Sequence, residues 1–240
     1  MRKLLLPLLV ASAVMSPSIY AVDFSDKIKQ AMKSEIRTDR DKARDENRKP
    51  AETLAFFGIK EDMKVLEIIP GGGWYSKLLA PALKDKGQLY LSMGTGYVNR
   101  ELMHLDTFED VKLVGEKDYE VKNLDFGVKG VDAVLTFRNY HNFDEDERTK
   151  INKAAFKSLK PGGVYGVVDH TRRHMQKKND ENGRRFDPVL AIKEIQQAGF
   201  TFVDYSNLHY KSDDELRFEV GKKTVRGNSD RFTLLFKKPE

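Results

Sequence analysis

The sequence of 240 residues has no cysteine, so disulfide bonds, thiolate chemistry and a cysteine nucleophile are excluded. The stability of the fold must therefore come from an apolar core. A hydrophobic share of 40% and an aromatic share of 10% are sufficient for such a core in one globular domain. The pattern contains no internal repeat and indicates no second domain.

A long apolar run is also missing, and the most apolar segment lies at the start of the chain. Arg2 and Lys3 precede an apolar segment at residues 4–15, and small residues lead to a plausible cleavage site after Ala21. This order is typical of a secretory signal peptide, and the apolar segment is too short to span a bilayer comfortably. The alternative is an uncleaved membrane anchor, although no stop-transfer pattern follows. We predict a signal peptide at residues 1–21, an exported protein in the periplasm or medium, and no stable membrane span.

Charge of one sign is not in excess either. Removal of Arg2 and Lys3 reduces the 42 basic residues to 40, against 37 acidic ones, so the net charge falls from +5 to +3. Both signs alternate in residues 37–46, which indicates a solvated helix face rather than a phosphate-binding stripe. We therefore expect no nucleic-acid partner.

The rest of the chain is organised around one stretch. An apolar run at residues 65–69 ends at Pro70, three glycines follow, and apolar residues resume at helical spacing from Trp74. This order predicts a strand, a tight turn and a helix. Glycines let a ligand approach the backbone closely, and the free N–H groups at a helix start suit a carboxylate or another electron-rich group. The alternative is a turn that needs glycine only for its own conformation.

Strand and helix patterns alternate along the chain. We predict a helical lead-in at residues 22–49, with its helix running from Ser25 to about Arg48, and one domain at residues 50–240. Further helices are predicted at residues 51–57, after a turn at residues 94–96 through residue 102, and at residues 144–159 and 188–198. Strands are predicted at residues 88–93, 111–114, 131–137, 164–169, 201–205 and 232–236, with a turn at residues 160–163 and a polar loop at residues 171–185.

This alternation, which ends in a pair of strands, predicts an α/β fold. We expect a Rossmann-like, mostly parallel seven-stranded sheet with helices on both faces and an antiparallel terminal strand. In open sheets of this kind, ligands bind beyond the carboxyl ends of the strands. The polar residues at those predicted ends are Glu67, Ser92, Arg138, Asn139, His141, Asp169 and His170.

The chain from about Pro50 to Lys238 resembles class I S-adenosylmethionine-dependent methyltransferases. The stretch from Val65 to Tyr75 looks like the acidic residue and glycine-rich loop of that family, and Leu159-Lys160-Pro161-Gly162-Gly163 before a strand is a frequent companion. The chain looks most similar to exported bacterial predicted methyltransferases. The motifs that carry this closer resemblance are Pro70-Gly71-Gly72-Gly73-Trp74-Tyr75, Arg138-Asn139-Tyr140-His141-Asn142, Ala198-Gly199-Phe200 and Asp230-Arg231-Phe232.

The resemblance implies S-adenosylmethionine as the cofactor. Its methionine amino group is expected near Glu67 and the backbone of Gly71 and Gly73, and its ribose near the end of the second strand. The cofactor-binding residues implied in this way are Glu67, Gly71, Gly72, Gly73, Trp74, Ser92, Arg138 and Asn139.

Two positions depart from the pattern of the family. Ile69 replaces the usual first glycine of the loop, and Ser92-Met93-Gly94 stands where an acid usually binds the ribose. A serine hydroxyl can bond a ribose, but without the bidentate, charge-assisted geometry of a carboxylate. Asp118 or Asp125 could serve the adenine amino group, although an exposed loop charge is the interpretation that we favour for both.

Methyl transfer requires a positioned acceptor and, for a hydroxyl, a base that removes its proton. His141 is the candidate base because it follows the fourth strand and titrates near neutrality. Asp169 and His170 could orient the acceptor or assist. The structural alternatives are that Asn139 caps the following helix, that His141 bonds only backbone, and that Asp169 pairs with Arg172 or Arg173.

Three classes of function remain open from the sequence. The leading hypothesis is a methyltransferase that acts on a small molecule, since no appendage for binding RNA, DNA or protein is visible. The second is an exported binding protein that keeps the fold but has lost the activity, which the two departures favour. The third is a metal-dependent hydrolase or oxygenase that uses His141, Asp169, His170 and His174. We expect no metal, because the segment around His174 has the pattern of a loop rather than of a helix.

Overall fold

The computed structural model describes residues 24–240, so the predicted signal peptide and the first two residues of the lead-in lie outside the described part. The described residues form eight α-helices around one seven-stranded sheet. The helices are α1 (Phe24–Met32), α2 (Asp39–Lys42), α3 (Asp45–Arg48), α4 (Pro50–Phe56), α5 (Ser76–Leu83), α6 (Gly96–Glu101), α7 (Glu145–Ser158) and α8 (Pro188–Gln197). The strands are β1 (Lys64–Ile68), β2 (Gln88–Ser92), β3 (Lys112–Leu113), β4 (Val131–Phe137), β5 (Leu159–His170), β6 (Thr201–Ser206) and β7 (Arg231–Lys237).

The strand order is β3-β2-β1-β4-β5-β7-β6, which confirms the predicted fold class. Strands β1 to β5 run parallel to one another, while β7 is antiparallel to both β5 and β6. The order reverses at β1, so the carboxyl ends of β1 and β4 flank the switch point where ligands bind in such sheets. We call the ends of β1, β2, β4 and β5 the carboxyl edge.

The sheet separates two apolar clusters. On one face, Val65 and Leu135 pack with residues of α1, α4 and α5. On the other face, Leu66 and Val134 pack with residues of α7 and α8. Glu67 has the same parity in β1 as Val65, so it points toward α5.

The predicted continuous lead-in helix is wrong, because the segment divides into α1, α2 and α3. Thr38 begins α2 with a capping box, in which Asp41 N donates to Thr38 Oγ1 and Thr38 N donates to Asp41 Oδ2. Lys49 then ends α3 in a left-handed conformation, with φ of 38°. Helix α1 joins the core of the sheet domain through its buried Phe24, Ile28 and Ala31.

Strand β5 begins earlier than predicted. The turn expected at residues 160–163 is an irregularity inside the strand, since the pairing with β4 steps from Leu159 to Val164 while Gly162 N donates to Lys238 O and Lys238 N donates to Gly163 O. In the part of the chain that the structure describes, no helix is long and apolar enough to cross a membrane.

Candidate active site

Strand β1 leads into an open glycine loop. A Cβ added at Gly71 or Gly72 would meet no described atom within 4 Å, so both positions face free space. Gly71 and Gly73 both have a positive φ, of 56° and 69°, and at Gly73 an added Cβ would also lie 2.5 Å from Leu102 Cδ1. The loop therefore leaves room for a ligand at its first two glycines, while the backbone conformation favours glycine at the first and third.

Three neighbouring strands end in non-glycine residues with left-handed backbone. Ile69 follows β1 with φ of 58°, Met93 follows β2 with 59° and Arg138 follows β4 with 64°. Each such residue costs roughly 1–3 kcal/mol, and strain of this kind concentrates at functional sites. The carboxyl edge is therefore strained at the place where the fold positions ligands.

Glu67 is a buried carboxylate close to the glycine loop. Ser76 Oγ donates to Glu67 Oε2 at 2.6 Å, and no described cation forms an ion pair with the carboxylate. Burial raises the pKa of Glu67 to about 7, partly offset by the Ser76 hydrogen bond and the positive charge of Arg48. A cationic group brought next to Glu67 would restore its ionised form.

The end of β2 is covered by the segment at residues 116–119. Met93, Gly94 and Thr95 donate their backbone N–H groups to the carbonyls of Glu116, Asp118 and Lys117, respectively. The Tyr119 ring lies over Gly94, where an added Cβ would be 2.4 Å from it. Ser92 is fully buried, with its hydroxyl 3.4 Å from Glu116 O, and its predicted contact with a ribose stays a prediction.

The two aspartates considered for adenine lie on the surface. Asp118 is exposed, and Asp125 pairs with Lys157 at 2.5 Å. Both agree with the interpretation as exposed loop charges.

His141 and Asp169 form a buried pair between the ends of β4 and β5. His141 Nδ1 lies 2.7 Å from Asp169 Oδ1, and the backbone N–H groups of His141 and His170 donate to the two oxygens of the same carboxylate. Because the carboxylate is the acceptor, Nδ1 carries a proton, and in the neutral form of the ring the lone pair lies on Nε2. The alternatives that His141 bonds only backbone and that Asp169 pairs with an arginine are wrong.

His170 also lies at the end of β5 but has a different environment. Its Nδ1 lies 2.9 Å from Ser229 Oγ, and its ring centroid is 6.0 Å from that of His141. Burial, together with Arg231 and Arg138, holds the pKa of His170 well below its usual value. His170 is therefore neutral at physiological pH.

Asn139 connects two strand ends. Its Nδ2 donates to Ile69 O at 3.1 Å, so the residue holds the end of β1 against the end of β4 and does not cap the following helical turn as one alternative supposed. Neighbouring Arg138 has a half-buried side chain that forms no hydrogen bond or ion pair within residues 24–240. Burial lowers the pKa of its guanidinium.

The single tryptophan of the chain is buried against arginines. Trp74 Nε1 donates to Asp41 O at 3.0 Å, and the Arg48 and Arg37 guanidinium carbons lie 4.3 and 5.1 Å from the ring centroid. The predicted contact of Trp74 with the cofactor stays a prediction. Tyr75 beside it stacks on Phe137, with ring centroids 3.5 Å apart.

The interpretation of residues 37–46 as a solvated helix face agrees with most of the segment but is wrong for Arg37 and Asp41. The side chain of Arg37 is fully buried and pairs with Asp45 at 2.5 Å, and the nearly buried Asp41 pairs with Lys77 at 2.9 Å. Charges of opposite sign satisfy one another as the segment folds over Trp74. A buried network and a solvated face have the same alternating composition, so the sequence could not distinguish them.

A pocket of about 620 Å³ opens beside His170 and Arg138. Arginine supplies half of its described lining residues, and none of these lining residues is acidic. Helices α2 and α3 form one wall, the ends of β4, β5 and β7 form the base, and residues 220–229 form the opposite wall. We call this cavity the arginine pocket.

The site residues predicted from the sequence did not include Arg48, Arg231 or His209 of this region. His209 Nε2 lies 3.0 Å from Arg48 O, and its Nδ1 lies 2.6 Å from Thr233 Oγ1. Burial lowers the pKa of His209 to about 4, so the ring is neutral at physiological pH. The motif Asp230-Arg231-Phe232 was the signal for Arg231, but its place at the start of an antiparallel strand concealed its nearness to the ends of β4 and β5.

The hypothesis of a metal centre receives no support from His174. Its Nδ1 lies 2.9 Å from Asp187 Oδ2, and the same aspartate caps α8. Among residues 24–240, no group of three or more histidine, aspartate or glutamate side chains is arranged to hold a metal ion.

The sheet order and the glycine loop at the switch point define a Rossmann-like methyltransferase fold. No protein-family model matches the chain, and no curated protein sequence matches it. Solved structures do.

A SAM-dependent methyltransferase from Aquifex aeolicus aligns with a TM-score of 0.60 and 18% identity, over 89% of this chain and 97% of that one. The 4+2 cyclase SpnF aligns with a TM-score of 0.59 and 14% identity, over 80% of each chain. Human N-acetylserotonin methyltransferase, solved in complex with SAM, aligns with a TM-score of 0.56 and 12% identity, over 90% of this chain and 57% of that one. At these identities the matches demonstrate a shared fold.

Proposed function

We propose that the protein is an S-adenosylmethionine-dependent methyltransferase that acts on a small-molecule acceptor. The observation that carries this proposal is Glu67, a buried carboxylate without a cationic partner among the described residues, beside glycines that face open space. A ligand with an ammonium group would supply the missing positive charge. The shared fold supports the same interpretation.

The residues of the loop fit this cofactor in chemistry and in space. Glu67 would accept hydrogen bonds from its amino group, and the backbone at Gly71 and Gly72 would lie against its methionine part. Asn139 keeps the loop in place through Ile69 O. The bound cofactor supplies an electrophilic methyl group on a sulfonium.

The remaining chemistry belongs to the pair of His141 and Asp169. Asp169 fixes the imidazole so that the lone pair of Nε2 is available to an acceptor hydroxyl or amine. As the acceptor attacks, its proton passes to Nε2, and the carboxylate of Asp169 stabilises the imidazolium that forms. The role of Asp169 is to position His141, and that of His170 is to line the acceptor side as a neutral ring.

Calorimetric titration of S-adenosylmethionine and S-adenosylhomocysteine into the purified protein tests the cofactor assignment. We expect micromolar binding that Glu67→Gln weakens by about tenfold or more, because a charge-assisted hydrogen bond is lost. Glu61→Gln is the matched control, since Glu61 pairs with Lys27 and Lys86 away from the loop. Failure of a folded protein to bind at millimolar ligand would overturn the proposal.

The His141 tautomer can be measured without an acceptor. We expect the ¹⁵N spectrum of the imidazole to report a protonated Nδ1 and an unprotonated Nε2, with His141→Gln identifying the signals. A protonated Nε2 in the neutral ring would remove the proposed base.

The second candidate function is ligand binding without methyl transfer. It is favoured by Ile69, a β-branched residue with φ of 58°, and by the segment at residues 116–119 that covers the end of β2. This candidate predicts that the wild-type chain does not bind S-adenosylmethionine and that Ile69→Gly, which relieves the backbone strain, gains binding. Tight binding by the wild type argues against it.

We also propose that the chain is exported and cleaved after Ala21. The proposal rests on the basic start and the apolar segment at residues 4–15, which lie outside the described structure. N-terminal sequencing of protein from a periplasmic fraction tests it, with Val22 as the expected first residue. An intact Met1 in cytoplasmic protein would contradict it.

A further inference from the structure

Three arginines at the base of the arginine pocket lack ion-pair partners in the described part of the chain, and two of them, Arg48 and Arg231, are buried. Arg48, Arg138 and Arg231 form no ion pair with any carboxylate in residues 24–240. Arg48 Nη1 and Arg231 Nε are buried without a hydrogen-bond partner, and the one side-chain hydrogen bond of the group is from Arg231 Nη1 to Asn47 O at 2.6 Å. A buried charge without a partner costs several kcal/mol.

The three guanidinium groups also repel one another. Burial, followed by the charge of Arg138, lowers the pKa of Arg48 to about 8 and that of Arg231 to about 10. Asp169 is close enough to favour the charged forms of Arg138 and Arg231, but its own hydrogen bonds go to His141 and His170. An anion placed among the three groups would remove both the repulsion and the unmet hydrogen bonds.

The fold fixes the backbone positions from which two of these side chains extend. Arg48 O accepts hydrogen bonds from Thr53 Oγ1 at 3.1 Å and Tyr75 OH at 3.4 Å, and it lies 3.0 Å from His209 Nε2. Arg138 occupies a strained left-handed position between β4 and the turn that carries His141. The cluster is therefore organised in advance for a ligand, which reduces the entropy cost of binding.

We propose that the arginine pocket binds a terminal phosphate group, and that the methyl acceptor is a phosphorylated small molecule. A phosphate monoester carries close to two negative charges and three acceptor oxygens, whereas a carboxylate carries one charge and two oxygens. Three guanidinium groups match the phosphate better. The volume of about 620 Å³ leaves room for the rest of a metabolite-sized molecule.

The pocket adjoins the proposed base. Arg138 lies three residues before His141, and His170, which follows Asp169, lines the cavity. A phosphate held at the base would keep the rest of the ligand near His141. The acceptor identity rests on the proposed function, but phosphate binding does not, so the two can fail separately.

The test is a calorimetric titration of the full chain with inorganic phosphate, pyrophosphate and glycerol phosphate in the absence of S-adenosylmethionine. Trp74 is the one tryptophan of the sequence and contacts Arg48, so its fluorescence provides a second readout. We expect submillimolar binding of glycerol phosphate, a change in Trp74 emission, and much weaker binding of succinate. A parallel arm with vesicles that contain phosphatidic acid distinguishes a soluble phosphate ester from a lipid headgroup, and binding of either supports a phosphate site.

Arg138→Gln and Arg231→Gln should each weaken phosphate binding by about tenfold or more. The matched control is Arg217→Gln, which makes the same change in net charge at an exposed residue that pairs with Glu215, and we expect less than about a twofold effect. Arg226→Gln at the pocket wall tests the same site if an inner variant fails to fold. The proposal is wrong if folded wild-type protein binds no phosphate probe or binds succinate as tightly as glycerol phosphate. It is also wrong if Arg217→Gln weakens phosphate binding as much as Arg138→Gln and Arg231→Gln do.

Discussion

The buried charges of this protein differ between two regions. Three buried cations outside the base of the arginine pocket are paired with carboxylates: Arg185 with Asp214 at 2.9 Å, Arg148 with Glu194 at 2.7 Å, and Arg37 with Asp45 at 2.5 Å. At the carboxyl edge, Glu67 forms no ion pair with a cation among the described residues. The arginines at the base of the arginine pocket, which are Arg48, Arg138 and Arg231, form no ion pair with an anion there.

We propose that the difference separates charges that stabilise the fold from charges that bind a ligand. Other buried ions of this fold form pairs, so the lack of partners at the carboxyl edge is a local property of that region. Glu67 lacks a cation, which agrees with the proposed cofactor and its ammonium group. The arginines of the pocket lack an anion, which agrees with the proposed phosphate group of the acceptor. Unpaired buried charge is costly, so its retention at a strained edge indicates function rather than stability.

The largest effect on stability is expected when one partner of a buried ion pair is removed. Asp214→Ala leaves Arg185 buried without its partner and also removes the acceptor for the backbone N–H groups of Leu216 and Asp230. We expect the free energy of unfolding to fall by about 3–5 kcal/mol in denaturant titrations. Asp213→Ala, at an exposed neighbour, should change it by less than about 0.5 kcal/mol. Equal effects of the two variants would show that pairing does not stabilise this region.

Removing the unpaired charge of Glu67 should raise the free energy of unfolding, whereas removing Asp214 should lower it. Its pKa is raised to about 7, so ionisation destabilises the folded protein as pH rises from the usual carboxyl value through 7. Glu67→Gln should therefore be more stable than the wild type by up to about 3 kcal/mol at pH 8 and similar to it at pH 4. Thermal unfolding across this range measures the difference. A variant that is less stable at pH 8 would mean that Glu67 has a cationic partner in solution.

Acid should lower the free energy of unfolding through His209, because burial disfavours the protonated imidazole. The pKa of His209 is lowered to about 4, so its contribution to stability is present above pH 6.5 and is lost as pH falls toward 4. The loss attributable to this group is up to about 3 kcal/mol, and the depressed pKa of His170 acts in the same direction. His209→Gln should flatten the decline of stability between pH 6.5 and 4, even though it is less stable at pH 7. An unchanged slope would exclude His209 as its source.

The smallest expected effect on stability is that of Arg138→Gln. Without phosphate, removal of one of the mutually repelling guanidinium groups should raise the free energy of unfolding by about 1 kcal/mol. Saturating glycerol phosphate should stabilise the wild type more than the variant. Calorimetric melting with and without the ligand measures both differences. A variant that is strongly destabilised without ligand would identify Arg138 as a structural residue.

Much of the fold could be predicted from local pattern. The strands around Leu66 and Val134 are apolar runs bounded by turns, and the helix from Glu145 follows an aspartate that caps it as a capping box. The position of Glu67 shortly before three glycines could also be read from the sequence. The placement of His141 and Asp169 at strand ends could be predicted as well. Their separation of 28 residues in sequence nevertheless gave no information on their direct hydrogen bond.

The parts that could not be predicted depend on long-range contacts. Residues 37–46 have the composition of a solvated helix, yet Arg37 is buried with its Nη1 and Nη2 groups donating to the carbonyl of Met32 and to Asp45. Arg48 and Arg231 are separated by almost the whole domain and meet at the arginine pocket. No periodicity in either segment indicates that meeting.

The sequence by itself determined the order of strands and helices, the glycine loop and the residue types at the strand ends, because these follow from hydrophobic periodicity and backbone conformational preference. Tertiary structure alone decided which buried charges have partners. Whether a guanidinium meets a carboxylate, another guanidinium or neither depends on how the strand ends, α3 and the loop before β7 come together. The energy of a buried charge depends on those neighbours and on its desolvation, and neither quantity is encoded in the local sequence.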